Sequence, residues 1–387
     1  MADFKNYNDG TLTAEQIDLR DMVHDFLAKE LVPIAKELDE KAQFPKEVWK
    51  KACDMGLSTM LIPEEYGGAG IDYMTDALLC EEYGWADAGW SGTIGAHGLS
   101  MKPLLLGGTP EQIGHFAEVA SAGGIGSFAL TEPEAGSDAA ALRTVAEKKG
   151  DEYIINGSKC FITNAEEASI FTVFALTNKE AGVKGITAFT VDADTPGLEV
   201  GKHEDKMGQR SSVTNDVAFI DMKVPASAVV GAEGMGFGLA MKTLDIGRAE
   251  AALCVTGVAR AAVEHAVKYA QERVTMGKPI IRHQGVGFML SDMAAMLETG
   301  RQMGWYAARM LDTKNPRASA IAAMAKLIAT DNAMKITTDA VQVLGGYGYS
   351  REYPVEKLMR DAKIFQIFEG TNQIQRSVIT GWLPKLY

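Results

Sequence analysis

Ile186-Thr187-Ala188-Phe189-Thr190-Val191 is the run on which the reading of the fold turns. It is rich in β-branched and aromatic residues, as are Tyr153-Ile154-Ile155, Phe171-Thr172-Val173-Phe174 and Val217-Ala218-Phe219-Ile220, and Gly, Asn and Asp turns separate these runs. Between about Ile125 and Val230 the spacing predicts a small antiparallel barrel or sandwich. On both sides the period is helical. From about Thr13 to Leu106 apolar residues recur near every third or fourth position, behind a cap signal at Thr13-Ala14-Glu15-Gln16. After Gly231-Ala232-Glu233-Gly234-Met235-Gly236, long Ala- and Met-rich stretches fill about 237–272, 284–312, 316–344 and 355–382, lengths that suit a four-helix bundle. Helices, then strands, then helices, without alternation, argue against a doubly wound parallel sheet. The expected fold is mostly α with a central β domain: an N-terminal helical domain at 1–124, a β domain at 125–234 and a bundle at 235–387.

Composition removes several functions. The chain has 387 residues, and its net charge of −13 opposes binding to nucleic acid or an anionic membrane. Cys53, Cys80, Cys160 and Cys254 are scattered, and no His-x-x-x-His pair occurs, so no metal site or disulfide framework is expected. No apolar run reaches transmembrane length, and Met1-Ala2-Asp3-Phe4-Lys5-Asn6 lacks an export signal, so the expected location is cytoplasmic. No Gly-x-Gly-x-x-Gly dinucleotide fingerprint is present.

Several segments carry chemistry. Ile364-Phe365-Gln366-Ile367-Phe368-Glu369-Gly370-Thr371-Asn372-Gln373 seats a carboxylate at a Gly turn between an apolar run and a helix start, a place for a poorly solvated general base. The plainer alternative is a helix cap at Thr371. Phe128-Ala129-Leu130-Thr131-Glu132-Pro133-Glu134-Ala135-Gly136-Ser137-Asp138 offers hydroxyls and free backbone donors, or is simply a capped turn. Phe161-Ile162-Thr163 follows a hairpin signal at Asn156-Gly157 and places an aromatic beside a hydroxyl. In Leu244-Asp245-Ile246-Gly247-Arg248 a glycine interrupts a helix, which suggests close approach by something else, while Asp245 and Arg248 have salt-bridge spacing. Arg273 and Gln284 flank a cationic loop, and Gln342-Val343-Leu344-Gly345-Gly346 ends a helix with exposed backbone groups.

The order and spacing of these segments over nearly the whole chain resemble the acyl-CoA dehydrogenases, flavoproteins that oxidise acyl-CoA thioesters to 2-enoyl-CoA. The resemblance implies non-covalent FAD, a homotetramer in which one subunit completes its neighbour's flavin site, and electron transfer to an electron-transfer flavoprotein. By position, Phe128, Leu130, Thr131, Gly136, Ser137, Phe161, Ile162 and Thr163 are expected at the flavin ring. Arg273, Gln284, Gln342, Val343, Leu344, Gly345 and Gly346 are expected at its pyrophosphate and adenosine, with Thr371, Asn372 and Gln373 closing the site. Ser137, Asp245 and Arg248 are expected at CoA, and Gly370 against the thioester. Glu369 is expected to remove the proton beside the thioester carbonyl as hydride leaves the next carbon for the flavin. Some relatives carry the base just before the equivalent of Arg248, where this chain has Gly247, so Glu369 is expected to be the only base.

The acyl group is less constrained. The chain looks most like short- and medium-chain members, yet Trp85 to Gly98 departs from the usual pattern. Gly92 and Gly95, with Trp90 and His97 as walls, would widen the pocket for a branched or cyclic group such as cyclohexanecarboxyl. The alternative is that these residues pack between helices. An enoyl-CoA reductase, an acyl-CoA oxidase or a non-catalytic flavin- or CoA-binding protein would share the scaffold.

Overall fold

The computed structural model describes residues 10–386, so the Met1–Asn6 segment read for an export signal lies outside the described residues. The cap signal at Thr13 is real: its Oγ1 accepts from Gln16 N, and the Gln16 side chain accepts in return from Thr13 N, opening α1 (Ala14–Glu30). Short helices α2 (Ala35–Lys41) and α3 (Lys46–Asp54) follow, then α4 (Tyr73–Ala86) and α5 (Ala88–Gly107), each started by an Asp that accepts a backbone N–H. A further helix, α6 (Pro110–Ser121), lies past the periodic pattern read to about Leu106 and within the helical domain expected at 1–124.

The central strands are β1 (Gly126–Ala129), β2 (Val145–Lys149), β3 (Glu152–Thr163), β4 (Ile170–Leu176), β5 (Ile186–Asp192), β6 (Leu198–His203), β7 (Thr214–Pro225) and β8 (Val229–Val230). They form one eight-stranded sheet in the order β6-β7-β3-β2-β4-β5-β8, with β1 also on β4. The wholly antiparallel expectation fails at two places: β1 and β4 are parallel, from Gly126 opposite Ile170 to Ala129 opposite Val173, and β2 meets β4 in parallel at Val145 and Leu176. A loop and the β2–β3 hairpin intervene between β1 and β4, long enough for the crossover that parallel pairing needs. Asn156-Gly157 does not turn a hairpin. It lies inside β3 at a register shift, where Asn156 Nδ2 donates to Asp221 Oδ1 (3.1 Å) and Asn156 Oδ1 accepts from Asp221 N (2.8 Å). The hairpin turn is Gly150-Asp151, between the paired Lys149 and Glu152.

The C-terminal helices are α7 (Gly236–Glu272), α8 (Gln284–Asp312), α9 (Ala318–Leu344), α10 (Val355–Phe365) and α11 (Asn372–Leu386); a small ribbon, β9 (Val274–Thr275) with β10 (Lys278–Pro279), joins α7 to α8. The fourth stretch, expected as one helix over 355–382, is broken between α10 and α11. Glu369 (φ 54°) and Gly370 (φ 89°) take left-handed conformations there, and Thr371 Oγ1 accepts from Ile374 N (3.2 Å) to restart the helix. Against α7 runs α4, with small residues at the crossing: a Cβ on Gly84 would lie 1.8 Å from Cys254 O, and one on Gly257 2.0 Å from Glu81 O. This contact welds the N-terminal helices to the bundle and brings α4, α5 and α7 around one cavity. Among the described residues no helix is long and apolar enough to cross a membrane.

Candidate active site

Glu369 stands in the α10–α11 break and lines a cavity of about 890 Å³ between the bundle, α5 and the sheet. Its Oε2 is buried and has no hydrogen-bond partner. Burial pushes the carboxyl up, the nearby Glu250 carboxylate adds to this, and Lys326, Lys102 and Arg248 pull partly back, leaving it at about 8. Gly247 explains why the carboxylate can be there: a Cβ would sit 2.9 Å from Glu369 Oε2 and 2.9 Å from Leu99 Cδ2. The close approach suggested by that helical glycine is therefore made by Glu369 itself. Gly247→Ala is expected to leave the helix intact and to lower turnover by up to about 100-fold through displacement of the base. Native turnover in that variant would show that the carboxylate can shift without consequence.

Sequence reading missed the residues that hold this turn. Lys326 Nζ donates to Gly370 O (2.9 Å) and to Asn372 Oδ1 (3.1 Å), while Gln375 Nε2 donates to the carbonyls of Gly370 (2.8 Å) and Glu369 (3.2 Å). Burial pulls the Lys326 ammonium down to about 8, against the raising effect of Glu369. The available signal was a lone Lys inside the Ala-rich run Ala322-Ala323-Met324-Ala325-Lys326. Asn372 belongs with this group: it is buried, and its amide donates to Thr330 Oγ1 (2.8 Å) and Asp331 Oδ1 (2.7 Å). It holds the turn and does not line the cavity, whereas Thr371 lines it and Gln373 is exposed.

Facing Glu369 across the same cavity are Phe128, Leu130, Thr131, Gly136, Ser137, Phe161, Ile162 and Thr163. Phe161 lies in the register shift of β3 between Lys159 and Ile162, has φ 56° and is 65% exposed. A large aromatic held outward in a left-handed conformation marks a place where the fold bears strain to present a ring. The loop from Leu130 is anchored by buried Glu132, which accepts from Lys159 Nζ (2.7 Å), Arg143 N (2.5 Å) and Thr144 N (3.1 Å). On α7, Arg248 lines the cavity and is ion-paired with Asp245, which also accepts from Ser319 Oγ (3.1 Å).

The remaining predicted residues lie elsewhere on the chain. Arg273, Val343, Leu344, Gly345 and Gly346 line a second, shallower cavity of about 590 Å³ with Tyr269 and Tyr347. Gln284 and Gln342 are exposed and line neither cavity. One chain thus presents two separate cavities lined by the predicted residues.

The 85–98 segment divides between its two readings. Trp90 is fully buried beside Trp49 in the helical core and is not a cavity wall, whereas Gly92 borders the cavity, with the end of the Gln209 side chain 2.7 Å from where its Cβ would be. At Gly95 a Cβ would meet nothing within 4 Å, and Gly95 borders the cavity, so there the open space is real. His97 also borders it, but its ring is committed: Gly126 N donates to Nδ1 (2.9 Å), Nε2 lies 2.8 Å from Ser58 O, and burial pulls its pKa down to about 4.

A buried carboxylate with no partner at Oε2 shares one cavity with an outward aromatic and a hydroxyl-bearing loop in a helix–sheet–helix chain, the features of an enclosed general-base site. Family models for the N-terminal, middle and C-terminal domains of acyl-CoA dehydrogenases match residues 13–123, 127–222 and 234–383. The chain is 44% identical to an acyl-CoA dehydrogenase of Bacillus subtilis, covering 96% of this chain and 98% of that protein. It is equally similar, with the same coverage, to the cyclohex-1-ene-1-carbonyl-CoA dehydrogenase of Geobacter metallireducens. The butyryl-CoA dehydrogenase structure from Megasphaera elsdenii superposes with a TM-score of 0.94 at 43% identity, over 97% of this chain and all of that one. This chain belongs to the acyl-CoA dehydrogenase family, a family of flavoproteins, and is an oxidoreductase acting on acyl-CoA.

Proposed function

We propose that the protein is an FAD-dependent acyl-CoA dehydrogenase in which Glu369 removes the proton next to the thioester carbonyl of a short acyl-CoA, straight or cyclic. The observation that carries this reading is the Glu369 carboxylate: enclosed, unpartnered at Oε2 and raised to about 8, it is a base matched to neutral pH. Lys326 and Gln375 fix the backbone beside it, so that its carboxylate is aimed before substrate arrives. Arg248 and Ser137 border the same cavity, Ser137 exposed at its edge, and are suited to the CoA chain.

The residues fit FAD. Phe161 is presented outward over the cavity with Thr163 beside it, and the Arg273 and Gly345-Gly346 half-site sits in a separate cavity on the same chain. That separation favours a cofactor shared between copies of the chain, each lending its second half-site to a neighbour, in a homotetramer. The bound flavin would accept the hydride, and an electron-transfer flavoprotein would then take the electrons. Exposed Met276 (94%) and Tyr349 (88%), next in sequence to Thr275 and Ser350 of the second cavity, supply apolar surface suited to the contact between copies of the chain.

Anaerobic titration of the purified protein with straight, branched and cyclic acyl-CoAs, followed by flavin absorbance, tests the reading. The preparation is expected to be yellow and to bleach with at least one class. A colourless protein that cannot be reconstituted with FAD, or a flavin that no acyl-CoA reduces, would sink it.

A further inference from the structure

The inner part of the acyl cavity is not apolar. Beside His97 and Arg248, three further charged or chargeable side chains line it: Asp76 from α4, Lys102 from α5 and Glu250 from α7. Lys102 Nζ lies 3.0 Å from Glu250 Oε2 and 2.8 Å from Oε1, and Lys102 is 2% and Glu250 8% exposed. Only the Oε2 contact has hydrogen-bond geometry, so Oε1 is buried without a directed donor. Asp76 is buried against Glu250; burial and that neighbour raise its carboxyl well above the usual range, favouring the protonated form. Neither Lys102 nor Glu250 was singled out by sequence: Lys102 is a lone charge in Leu99-Ser100-Met101-Lys102-Pro103-Leu104, and Glu250 follows Arg248 by two residues at the start of an Ala-rich run.

Their depth follows from helix geometry. Gly247 touches Glu369, and Glu250 is three residues further along α7, about 4.5 Å at roughly 1.5 Å per residue, on the same face. The cavity wall continues one more turn inward to Cys254, with Cys80 and Tyr83 opposite on α4. The cavity lining therefore continues past the pair, whose Glu250 lies between Gly247 and Cys254 on one face of α7. An alkyl tail that reached this far would have to push apart two desolvated charges that have no water to receive them.

We infer that the buried Lys102–Glu250 pair is a gate across the acyl chamber that confines the enzyme to short acyl groups. The inference rests on the reading of Glu369 as the base acting on an acyl-CoA, and it deepens that reading by naming what limits chain length. Its test compares butyryl-CoA with octanoyl-CoA on the native holoenzyme and on the double variant Lys102→Ala/Glu250→Ala, in which neither partner is left as an unpaired charge. Taking the ratio of kcat/KM for the two substrates cancels any change in the basicity of Glu369 caused by loss of Glu250. In the native enzyme octanoyl-CoA is expected to be at least about tenfold poorer, and the double variant is expected to raise the octanoyl-to-butyryl ratio at least about tenfold, the scale of discrimination that steric fit in an apolar pocket supplies. Equal use of both substrates by the native enzyme overturns the gate without any variant. So does an unchanged ratio in a double variant that retains flavin. If the native flavin is reduced by neither substrate nor by any other acyl-CoA, the dehydrogenase reading itself falls and the gate falls with it.

Discussion

Glu369→Gln is expected to lower turnover by about 10²–10⁴-fold while flavin and acyl-CoA binding persist, because the amide keeps the shape of the side chain and loses its basicity. The geometry makes this a clean substitution. Oε2 has no hydrogen-bond partner to lose, and the main-chain clamp by Lys326 and Gln375 acts on carbonyls that the variant retains. The native carboxyl has a folded value of about 8 against 4.5 for the free side chain, so kcat/KM of the native enzyme should climb as pH rises toward about 8. The same shift fixes the sign of a stability effect. A carboxyl that holds its proton more tightly when folded costs stability as pH rises from 4.5 through 8, and glutamine lacks that cost. The variant should therefore equal or exceed the native protein in stability at pH 9, with the gap closing below pH 4.5. Near-native turnover in the variant would move the base elsewhere, and a variant less stable than native at high pH would contradict the buried-charge description.

Arg260→Met is expected to destabilise the fold by about 3–5 kcal/mol, measured as a fall in the urea midpoint. Arg260 is buried on α7 and donates to Glu81 Oε1 (3.0 Å) and to both oxygens of Glu82 (2.8 and 2.6 Å) on α4, with Trp85 5.4 Å from its guanidinium. Arg301 on α8 holds Glu81 from the other side (2.8 Å), and His24 on α1 lies 2.7 Å from Glu82. Four helices meet at this network. Methionine fills much of the volume and leaves Glu82 buried with only His24 beside it. Burial raises the Glu82 carboxyl, but Arg260 and His24 more than reverse this and hold it at about 2. The depressed value means that its stabilisation is present above pH 4.5 and lost as pH falls toward 2, so the difference between native and variant should narrow over that window. A loss under about 1 kcal/mol at pH 7 would show that desolvation offsets the pair in the native protein.

What the sequence determined by itself was the class of each segment and the turn that carries Glu369. The helix–strand–helix order, the cap at Thr13 and the turn at Glu369-Gly370 all follow from short-range rules of capping, periodicity and backbone freedom, which act between residues a few positions apart. Gly247 pointed to a close neighbour but could not name it, because Glu369 lies far along the chain. The tertiary structure alone decided what depends on packing. It set β1 parallel to β4, turned Asn156-Gly157 from a hairpin into a bulge and buried Trp90 against Trp49 instead of in the cavity wall. It also drew Lys326 under the Glu369-Gly370 turn and placed Lys102 against Glu250 inside the cavity that Glu369 lines. A lone charge in an apolar run is ambiguous until its counter-charge is known, and here each counter-charge or hydrogen-bond partner comes from a different part of the chain. Local sequence specifies what each helix and strand is; which side chains share a dry interior is fixed only when their apolar faces close on one another.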